Sequence, residues 1–589
     1  MSELVPYHMF DRFMRTAQRY EESWRKDNQL CFEYVDGDQW TDFEKSSIES
    51  RGQQPTVINT ILPTVDMVCS VAEQQRCDIQ VVGREGSDEN MAQLLTELLK
   101  HVADDSHEEY HIQQGFRDAI IGGRAWFEVG IKTDERGKDI VKIEHLPWED
   151  VYLDPFSRKP DASDARFIIK TKWLDRDVVK KLYPDAEQMI DTTFNDDYKG
   201  QEYEAQMNSQ GRGEALYFDP KSNRIRICEC YYTMPENRKV KVLDEKTGKY
   251  HEKEVFINAV HYVAFSDQVI LDGSATNHAV NKNPLGLDLY PFVPMYCRRD
   301  RKGKPQGIVK SLVDIQDQIN KLNSKFLWTL MANRLVMEVG ASDDLDRVRE
   351  EYQKPDGLVL LNEGGLSKVK VDEKYRDLSY MSQHLSFLMQ TEQRISGVND
   401  SMLGLGGSNE RSGTMQATRI SQGAAMQTTI LQNMLYCRER IAYLVLRLIG
   451  KYYTDYRIMR VTRPNGDIEN YEFNVKQTII NPETGEEEVN MLAPIEDTLY
   501  YDVILKRVAP FTSQRERMLQ IFSEVLKSGV IPAEIAGKLM IELSDIPNKS
   551  DLLKEMEGVQ EQNQMNAQQI AQQQMAIDAA KAGVDVNSI

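Results

Sequence analysis

The sequence predicts an α+β fold, in which helical segments flank a long region of strands. Near the N-terminus, residues 8–34 carry apolar side chains at helical spacing, namely Phe10, Phe13, Met14, Ala17, Tyr20 and Trp24. From about residue 122 to residue 300 the pattern becomes the alternation of antiparallel strands, interrupted by turn signals. Helical spacing returns at residue 305. Because 589 residues are too many for one core, we expect two to four structural modules.

Shorter elements precede the strand region. Residues 60–75 predict a helix, residues 77–83 alternate as a strand does, and residues 88–121 predict one long helix. Within the strand region, residues 223–234 and 239–245 predict two separate strands.

A single apolar stripe marks the helix that begins near residue 305. The side chains that form it recur every three or four residues: Ile308, Leu312, Ile315, Ile319, Leu322 and Phe326. Such a stripe packs against a partner helix and leaves the opposite face in water; the helix spans about 25 residues, or roughly 37 Å. A compact segment (335–378) then predicts strands at LVMEV, GLVLL and SKVKV around an acidic helix.

The rest of the chain repeats this alternation of helices and strands. Residues 380–395 predict a second helix and residues 414–452 a longer one, followed by strands across 457–507 with a hairpin turn at 481–485. Two further helices are predicted at 513–527 and 532–542. The tail from about residue 550 is rich in Gln, Ala and Met, which predicts either a helix that needs partners or a disordered end.

Composition excludes several classes of protein. The net charge is −21, whereas proteins that grip DNA over a wide face are usually basic, so any contact with nucleic acid is expected to be loose. No apolar run approaches the roughly 20 residues of a membrane-spanning helix, and no signal peptide is visible. We therefore expect an intracellular product with no membrane partner.

Seven cysteines are scattered along the chain. Cys228 and Cys230 form a CxC pair, which suggests either a metal clip or two residues of an alternating strand. The alternating surroundings favour the strand, and the odd number of cysteines favours reduced thiols. We expect no bound metal and no cofactor.

One motif suggests an enzyme. His107, Glu108 and His111 satisfy the H-E-x-x-H pattern of zinc proteases, in which two histidines on one helix face bind the metal and the glutamate acts as base. Its surroundings are polar and acidic, and Gln114 stands where metzincins carry a glycine. We therefore favour two surface histidines on an acidic helix over a catalytic zinc site.

Other catalytic signatures are missing from the sequence. Every Gly-Lys pair lacks the following Ser or Thr of a P-loop, and no G-x-S-x-G nucleophile motif occurs. The sequence thus predicts a protein that catalyses no covalent change, with no catalytic residues to assign.

A glycine-rich loop separates the second and third predicted helices. Residues 396–414 read SGVNDSMLGLGGSNERSGT, and glycines let such a backbone flex. We interpret this loop as facing the centre of a ring through which something passes, with an ordinary surface hinge as the alternative. The residues expected to face that passage, which the resemblance described next implies is filled by DNA, are Gly404, Gly406, Gly407, Ser408, Asn409 and Arg411.

The order of these elements resembles that of the portal protein of tailed bacteriophages, particularly the short-tailed podovirus type. Four stretches carry the resemblance, at residues 51–84, 151–174, 307–328 and 503–522. The resemblance covers most of residues 10–545. It implies a ring, usually of twelve copies, at one capsid vertex, built from regions called wing, stem, clip and crown.

The resemblance also implies how the regions divide the chain. Residues 1–304 would form a helical and β-rich part of the wing, 305–334 and 380–397 the two stem helices, 335–379 the clip, 398–413 the tunnel loop, 414–512 the rest of the wing, 513–549 the crown, and 550–589 a Gln-rich helical tail or short barrel.

Function and partners follow from the same resemblance. The ring would be the conduit through which double-stranded DNA is packaged and ejected, and it would sit in the virion after assembly in the host cytoplasm. Implied partners are other copies of the chain in a homododecamer, the large terminase subunit, a head–tail adaptor protein, and the major capsid and scaffolding proteins. Two alternatives stay open: a capsid maturation metalloprotease, and a ring-forming head–tail adaptor that conducts no DNA.

Overall fold

The described chain divides into two compact units. The structure, a computed structural model, describes residues 7–73, 77–83, 89–135, 137–194, 217–219, 222–243, 250–267, 269–272, 283–331, 335–354, 356–371, 375–398, 402, 423, 425, 427–453, 457–462, 468–473, 475–480, 487–492 and 501–507. The first unit comprises residues 1–73 and 102–452, and the second comprises residues 74–101 and 453–589. Helices and strands mix in the first unit, as the α+β prediction requires.

The helices follow one another along the chain as α1 (Tyr7–Asp36), α2 (Asp42–Glu49), α3 (Ile61–Glu73), α4 (Glu89–Asp105), α5 (Glu108–Gly122), α6 (Arg176–Leu182), α7 (Glu187–Thr193), α8 (Lys310–Met331), α9 (Leu345–Gln353), α10 (Tyr375–Ser396) and α11 (Thr428–Tyr452). Helix α1 confirms the N-terminal apolar spacing, because Phe10, Met14 and Ala17 are buried on its inner face. Helix α3 confirms the prediction for residues 60–75.

The strands of the first unit are β2 (Arg124–Thr133), β3 (Asp139–Leu146), β4 (Val151–Leu153), β5 (Phe167–Asp175), β6 (Phe218–Asp219), β7 (Arg224–Leu243), β8 (Tyr250–Ser266), β9 (Val269–Ile270), β10 (Phe292–Tyr296), β11 (Arg298–Arg299), β12 (Pro305–Gln306), β13 (Leu335–Met337) and β14 (Val369–Val371). Strands β10, β2 and β3 form one antiparallel sheet, and β4, β5, β7, β8 and β9 form a larger one, with β6 also paired to β7. The mixed β module predicted for residues 122–300 is confirmed.

Helix α1 covers the larger sheet. Its Phe13 stacks on Phe167 of β5 at 4.4 Å between ring centroids, and Phe10 meets Phe265 of β8 at 5.9 Å. Cys228 and Cys230 are buried in the same core, which confirms the strand interpretation of the CxC pair. Burial raises the pKa of Cys228 to about 12 and holds that of Cys230 well above its ordinary value, so both thiols stay protonated.

The second unit contains β1 (Cys77–Gly83), β15 (Arg457–Thr462), β16 (Ile468–Phe473), β17 (Val475–Ile480), β18 (Glu487–Leu492) and β19 (Tyr501–Arg507). Strand β1 pairs antiparallel with β19, and β15–β16 and β17–β18 form two further antiparallel pairs. The predicted strand at 77–83 and the strands across 457–507 are confirmed. The hairpin turn at 481–485 lies outside the described residues, as do the helices predicted at 513–527 and 532–542 and the tail.

Several sequence predictions differ from the structure. The helix predicted across 88–121 is two helices, because His107 adopts a left-handed backbone (φ 51°) between α4 and α5. The two strands predicted at 223–234 and 239–245 are one continuous strand, β7. Its Pro235 is tolerated because β5 pairs with β7 only as far as Tyr232, so among the described strands Pro235 has no neighbour on that side.

The third difference concerns the compact segment. Residues 357–361 (GLVLL) form no strand, although β13 and β14 confirm LVMEV and SKVKV in part, and α9 confirms the acidic helix. Strands β13 and β14 pair with each other. Leu358 and Leu360 are both exposed, so their alternation finds no apolar surface among the described residues.

A close backbone crossing fixes where α8 begins. The amide of Ile308 donates to the carbonyl of Ile120 at 2.9 Å, which brings the chain after β12 against the end of α5. Gly307 permits this approach, because an added Cβ would lie 2.1 Å from the Ile121 carbonyl oxygen. Helix α8 therefore starts at Lys310 rather than at the predicted residue 305.

Candidate functional site

Helices α8 and α10 lie side by side within the first unit, and they correspond to the two helices predicted near 305–334 and 380–397. Leu312 and Ile319 of the predicted stripe are fully buried. Ile308 is buried just before the helix begins, whereas Ile315, Leu322 and Phe326 are only half-buried. The stripe thus packs most fully in the first half of α8.

Sequence reasoning missed a second buried stripe on α8, which is polar. Gln316, Asn320 and Ser324 are buried and follow one another at intervals of four residues. They receive hydrogen bonds from the backbone amides of residues 60, 58 and 56: Thr60 to Gln316 Oε1 at 3.3 Å, Ile58 to Asn320 Oδ1 at 3.0 Å and Thr56 to Ser324 Oγ at 3.0 Å. We call residues 56–60 the strap.

The spacing of the strap matches that of the helix. Two extended residues advance about 6.6 Å, and four helical residues advance about 6.0 Å. Because the two repeats are nearly equal, every second amide of the strap can bond to every fourth side chain of α8, and three such bonds form in register. A signal for this was present in the sequence, because polar residues at i, i+4 and i+8 beside an apolar stripe share one helix face.

Replacing Asn320 with leucine is expected to lower the free energy of unfolding by about 2–4 kcal/mol, because the half-buried Ile58 amide loses its acceptor and the buried Gln39 side chain loses its donor. Chemical denaturation of the purified protein measures the change. Asn323→Leu on the same helix is the comparison, since among the described residues Asn323 donates to the Thr56 hydroxyl but accepts no bond from a strap amide, and it should cost about 1 kcal/mol. Equal losses of unfolding free energy in the two variants would show that the bond from the Ile58 amide to Asn320 stabilises the protein no more than the Asn323 contact does.

An apolar stripe on α10 faces outward. Tyr380, Phe387 and Ile395 are 60%, 55% and 42% exposed, and they follow one another after seven and eight residues, about two helical turns each time. Leu388, one residue on from Phe387, is buried. Helix α10 thus has one apolar face that packs inside the described chain, at Leu388, and a second apolar face beside it that is exposed.

The segment between α8 and α10 exposes further apolar side chains. Six large ones are exposed there: Val336, Val339, Leu345, Leu358, Leu360 and Leu366. Single exposed apolar residues are ordinary, but so many in about thirty residues are typical of an interaction surface.

The H-E-x-x-H motif does not form a metal site. His107 lies before α5 with a left-handed backbone, so it is not on a helix face with His111. His111 Nδ1 accepts a hydrogen bond from the His145 amide at 3.3 Å. Among the described residues, no group of three His, Cys, Asp or Glu side chains is arranged to hold a metal ion.

Glu108 has a structural partner instead. It is only 3% exposed, and its Oε1 lies 3.5 Å from Nε of Arg438 on α11, which is 7% exposed. Burial raises the pKa of Glu108, and the nearby Arg438 charge opposes that shift. Of the two histidines predicted to lie at the surface, His107 is exposed as expected, whereas His111 is half-buried.

The glycine-rich loop cannot be compared with the structure. Gly404, Gly406, Gly407, Ser408, Asn409 and Arg411 lie outside the described residues, and so does most of 398–413. Their DNA-facing role stays a prediction.

The model of the phage P22-like portal protein family matches residues 11–586 of this chain. The chain belongs to that family. This portal protein contributes to the conduit at one vertex of the phage capsid through which viral DNA is packaged. No curated protein sequence matches it.

Family membership favours the portal function over the metalloprotease alternative that the sequence left open. Portal proteins are structural components of the capsid vertex rather than enzymes, and nothing favours the metalloprotease alternative for this portal protein. In the part of the chain that the structure covers, no helix is both long and apolar enough to cross a membrane.

Proposed function

We propose that twelve copies of this portal protein form a closed ring, in which α8 and α10 are the two stem helices around the DNA channel. The outward stripe of Tyr380, Phe387 and Ile395 supports this assignment, because a helix that already packs on α8 has a second apolar face to cover. In a ring each copy offers that face to the next.

The remaining regions follow the boundaries predicted from the sequence. Residues 1–304 and 414–512 form the wing, 335–379 the clip, 513–549 the crown and 550–589 a helical tail or short barrel. The exposed apolar side chains between β13 and β14 support the clip as a contact surface. We assign it to clip–clip packing and to docking of the large terminase subunit and later the head–tail adaptor protein.

Other partners and the place of assembly belong to the same proposal. The ring assembles in the host cytoplasm with the major capsid and scaffolding proteins and remains in the virion. It catalyses no reaction and needs no cofactor. The net charge of −21 per chain keeps double-stranded DNA from binding the wall tightly, which favours sliding.

The mass and the images of the purified full chain test the ring. Native mass spectrometry should give twelve times the mass of one chain, and negative-stain images should show rings with a central hole. A single-chain mass at micromolar concentration, with no rings after capsid proteins are supplied, would contradict the proposal. Rings that enter capsids but support no DNA packaging would favour the adaptor alternative.

Deleting residues 404–412 should spare ring formation and reduce DNA packaging or retention, because the deletion removes the flexible part of the tunnel loop and leaves α8 and α10 intact. The comparison needs ring images and the DNA content of assembled heads. Loss of the rings themselves would show that the loop has been assigned the wrong place.

A further inference from the structure

Two loops of the first unit bring together basic side chains. The turn between β11 and β12 carries Arg301 and Lys302, and the loop between β4 and β5 carries Arg158 and Lys159. Arg299 joins the loops, because its Nη1 donates to the Arg158 carbonyl at 2.9 Å and its Nη2 to the Ser157 carbonyl at 3.4 Å. We call Arg158, Lys159, Arg301 and Lys302 the basic patch.

Two carboxylates of these loops, Asp300 and Asp164, accept hydrogen bonds from backbone amides and form no ion pair with the side chains of the basic patch. Asp300 accepts hydrogen bonds from the amides of Lys302 and Lys304, at 2.8 and 2.7 Å. Asp164 accepts from the Arg158 amide at 2.7 Å and from the Lys159 amide at 3.2 Å. These bonds fix the shape of both loops, and neither carboxylate forms an ion pair with a side chain of the basic patch.

Burial alone would raise the pKa of Asp164, but the hydrogen bonds from Arg158, Ser157 and Lys159 outweigh it and lower the pKa. Asp164 is therefore ionised at neutral pH and holds its loop throughout the physiological range.

The guanidinium groups of Arg158 and Arg299 both lie close to Gly303. A methyl group placed on Gly303 would lie 2.9 Å from Arg158 Nη1 and 3.1 Å from Arg299 Nη2. Gly303 has a left-handed backbone (φ 85°), which favours glycine and keeps this point free of a side chain.

The four side chains of the basic patch are exposed, and within the described residues none of them forms an ion pair. Elsewhere in the same unit, surface cations such as Lys142, Arg117 and Arg176 each lie within 3 Å of a carboxylate oxygen. What distinguishes the basic patch is that its four cations lie on two loops joined by hydrogen bonds, in a chain whose net charge is −21.

We propose that the basic patch binds the phosphate backbone of double-stranded DNA. Arginine presents a planar pair of donors that fits a phosphate, and the exposed Arg158 is held in place for this by the bond from Arg299 to its carbonyl. Lys159, Arg301 and Lys302 reach neighbouring phosphates as point charges. This site rests on the portal function, since DNA is the polyanion that a portal handles.

Fluorescence anisotropy with a labelled DNA duplex of about 30 base pairs tests the patch on the full-length protein. The variant Arg158→Gln/Arg301→Gln/Lys302→Gln should bind about tenfold or more weakly at about 100 mM salt. Its slope of log affinity against log salt should shrink by about 2 to 3, because each lost phosphate contact removes about 0.9.

The matched control is Arg19→Gln/Lys138→Gln/Lys181→Gln, which removes the same charge from exposed positions elsewhere in the first unit. It should change the affinity less than twofold. Equal weakening by both triple variants, or none by the first, would overturn the proposal. The single variants Arg301→Gln and Lys302→Gln lie in an exposed turn and give the same readout if the triple variant fails to fold.

Mass measurement separates this result from that of the ring. A preparation that forms rings while both triple variants bind DNA like the unchanged protein would overturn the basic patch alone. A preparation that forms no rings contradicts the ring, and the salt slopes then still decide the patch. An acidic protein as the true partner would show as unchanged DNA affinity.

Discussion

Changing Tyr380 and Phe387 together to aspartate is expected to leave single chains where the unchanged protein forms rings. Both aromatic rings are more than half exposed on α10, and the proposed ring buries them against the next copy. Their lost burial costs about 1–2 kcal/mol each, and placing an aspartate in an apolar contact costs several more. Each 1.4 kcal/mol lost lowers the affinity between neighbouring copies tenfold, and the loss recurs at every interface of the ring.

The control for this variant lies one residue earlier at each position. Ser379→Asp/Ser386→Asp adds the same charge at the same spacing on the same helix, at exposed polar positions. It should assemble like the unchanged protein. Native mass spectrometry of both variants decides between them. Rings from the Tyr380/Phe387 variant would show that this stripe is not an interface, and dissociation of both variants would implicate charge rather than apolar contact.

Replacing Arg438 with methionine is expected to lower the free energy of unfolding by about 3–5 kcal/mol, because it leaves the Glu108 carboxylate buried without its compensating charge. The double variant Glu108→Gln/Arg438→Met should recover a large part of that loss. Arg440→Met on the same helix is the control, since Arg440 lies 3.5 Å from Asp161 at a more exposed position and should cost about 1 kcal/mol or less.

The same variant should show a characteristic pH dependence. The folded-state pKa of Glu108 is already raised by burial, and Arg438 is the charge that opposes this rise. Without Arg438 the folded protein holds the proton more tightly than the unfolded chain, so stability falls as pH rises from the unfolded to the folded pKa. The difference between variant and unchanged protein should therefore be larger at about pH 8 than at about pH 5. A difference independent of pH would mean that Glu108 does not carry the effect.

Local spacing predicted most elements of the first unit, because helix and strand periods depend on near neighbours. Helix α1, helix α3 and the strands after residue 122 follow directly from their apolar patterns. The pairing of strands does not follow from local patterns. Strands β1 and β19 are separated by more than four hundred residues, and the apolar alternation of neither strand indicates which strand it pairs with. The late start of α8 depended on a backbone crossing at Gly307 that no local pattern reveals.

The candidate site was predicted in outline and missed in detail. The spacing of Leu312 and Ile319 correctly predicted the buried side of α8. Gln316 and Asn320 were overlooked because polar residues on a helix usually face water, and only the distant strap makes their burial favourable. Likewise, the alternation of GLVLL predicted a strand, but a strand needs a partner, which the described chain does not offer to Leu358 and Leu360.

The strap along α8 has a mechanical consequence. Its three amides engage side chains at one repeat, so sliding the helix along its own axis by a single residue would break all three hydrogen bonds together. A partial displacement of α8 would therefore lose these bonds without forming others in their place. An axial force on α8 is thus transmitted to the N-terminal segment through the strap.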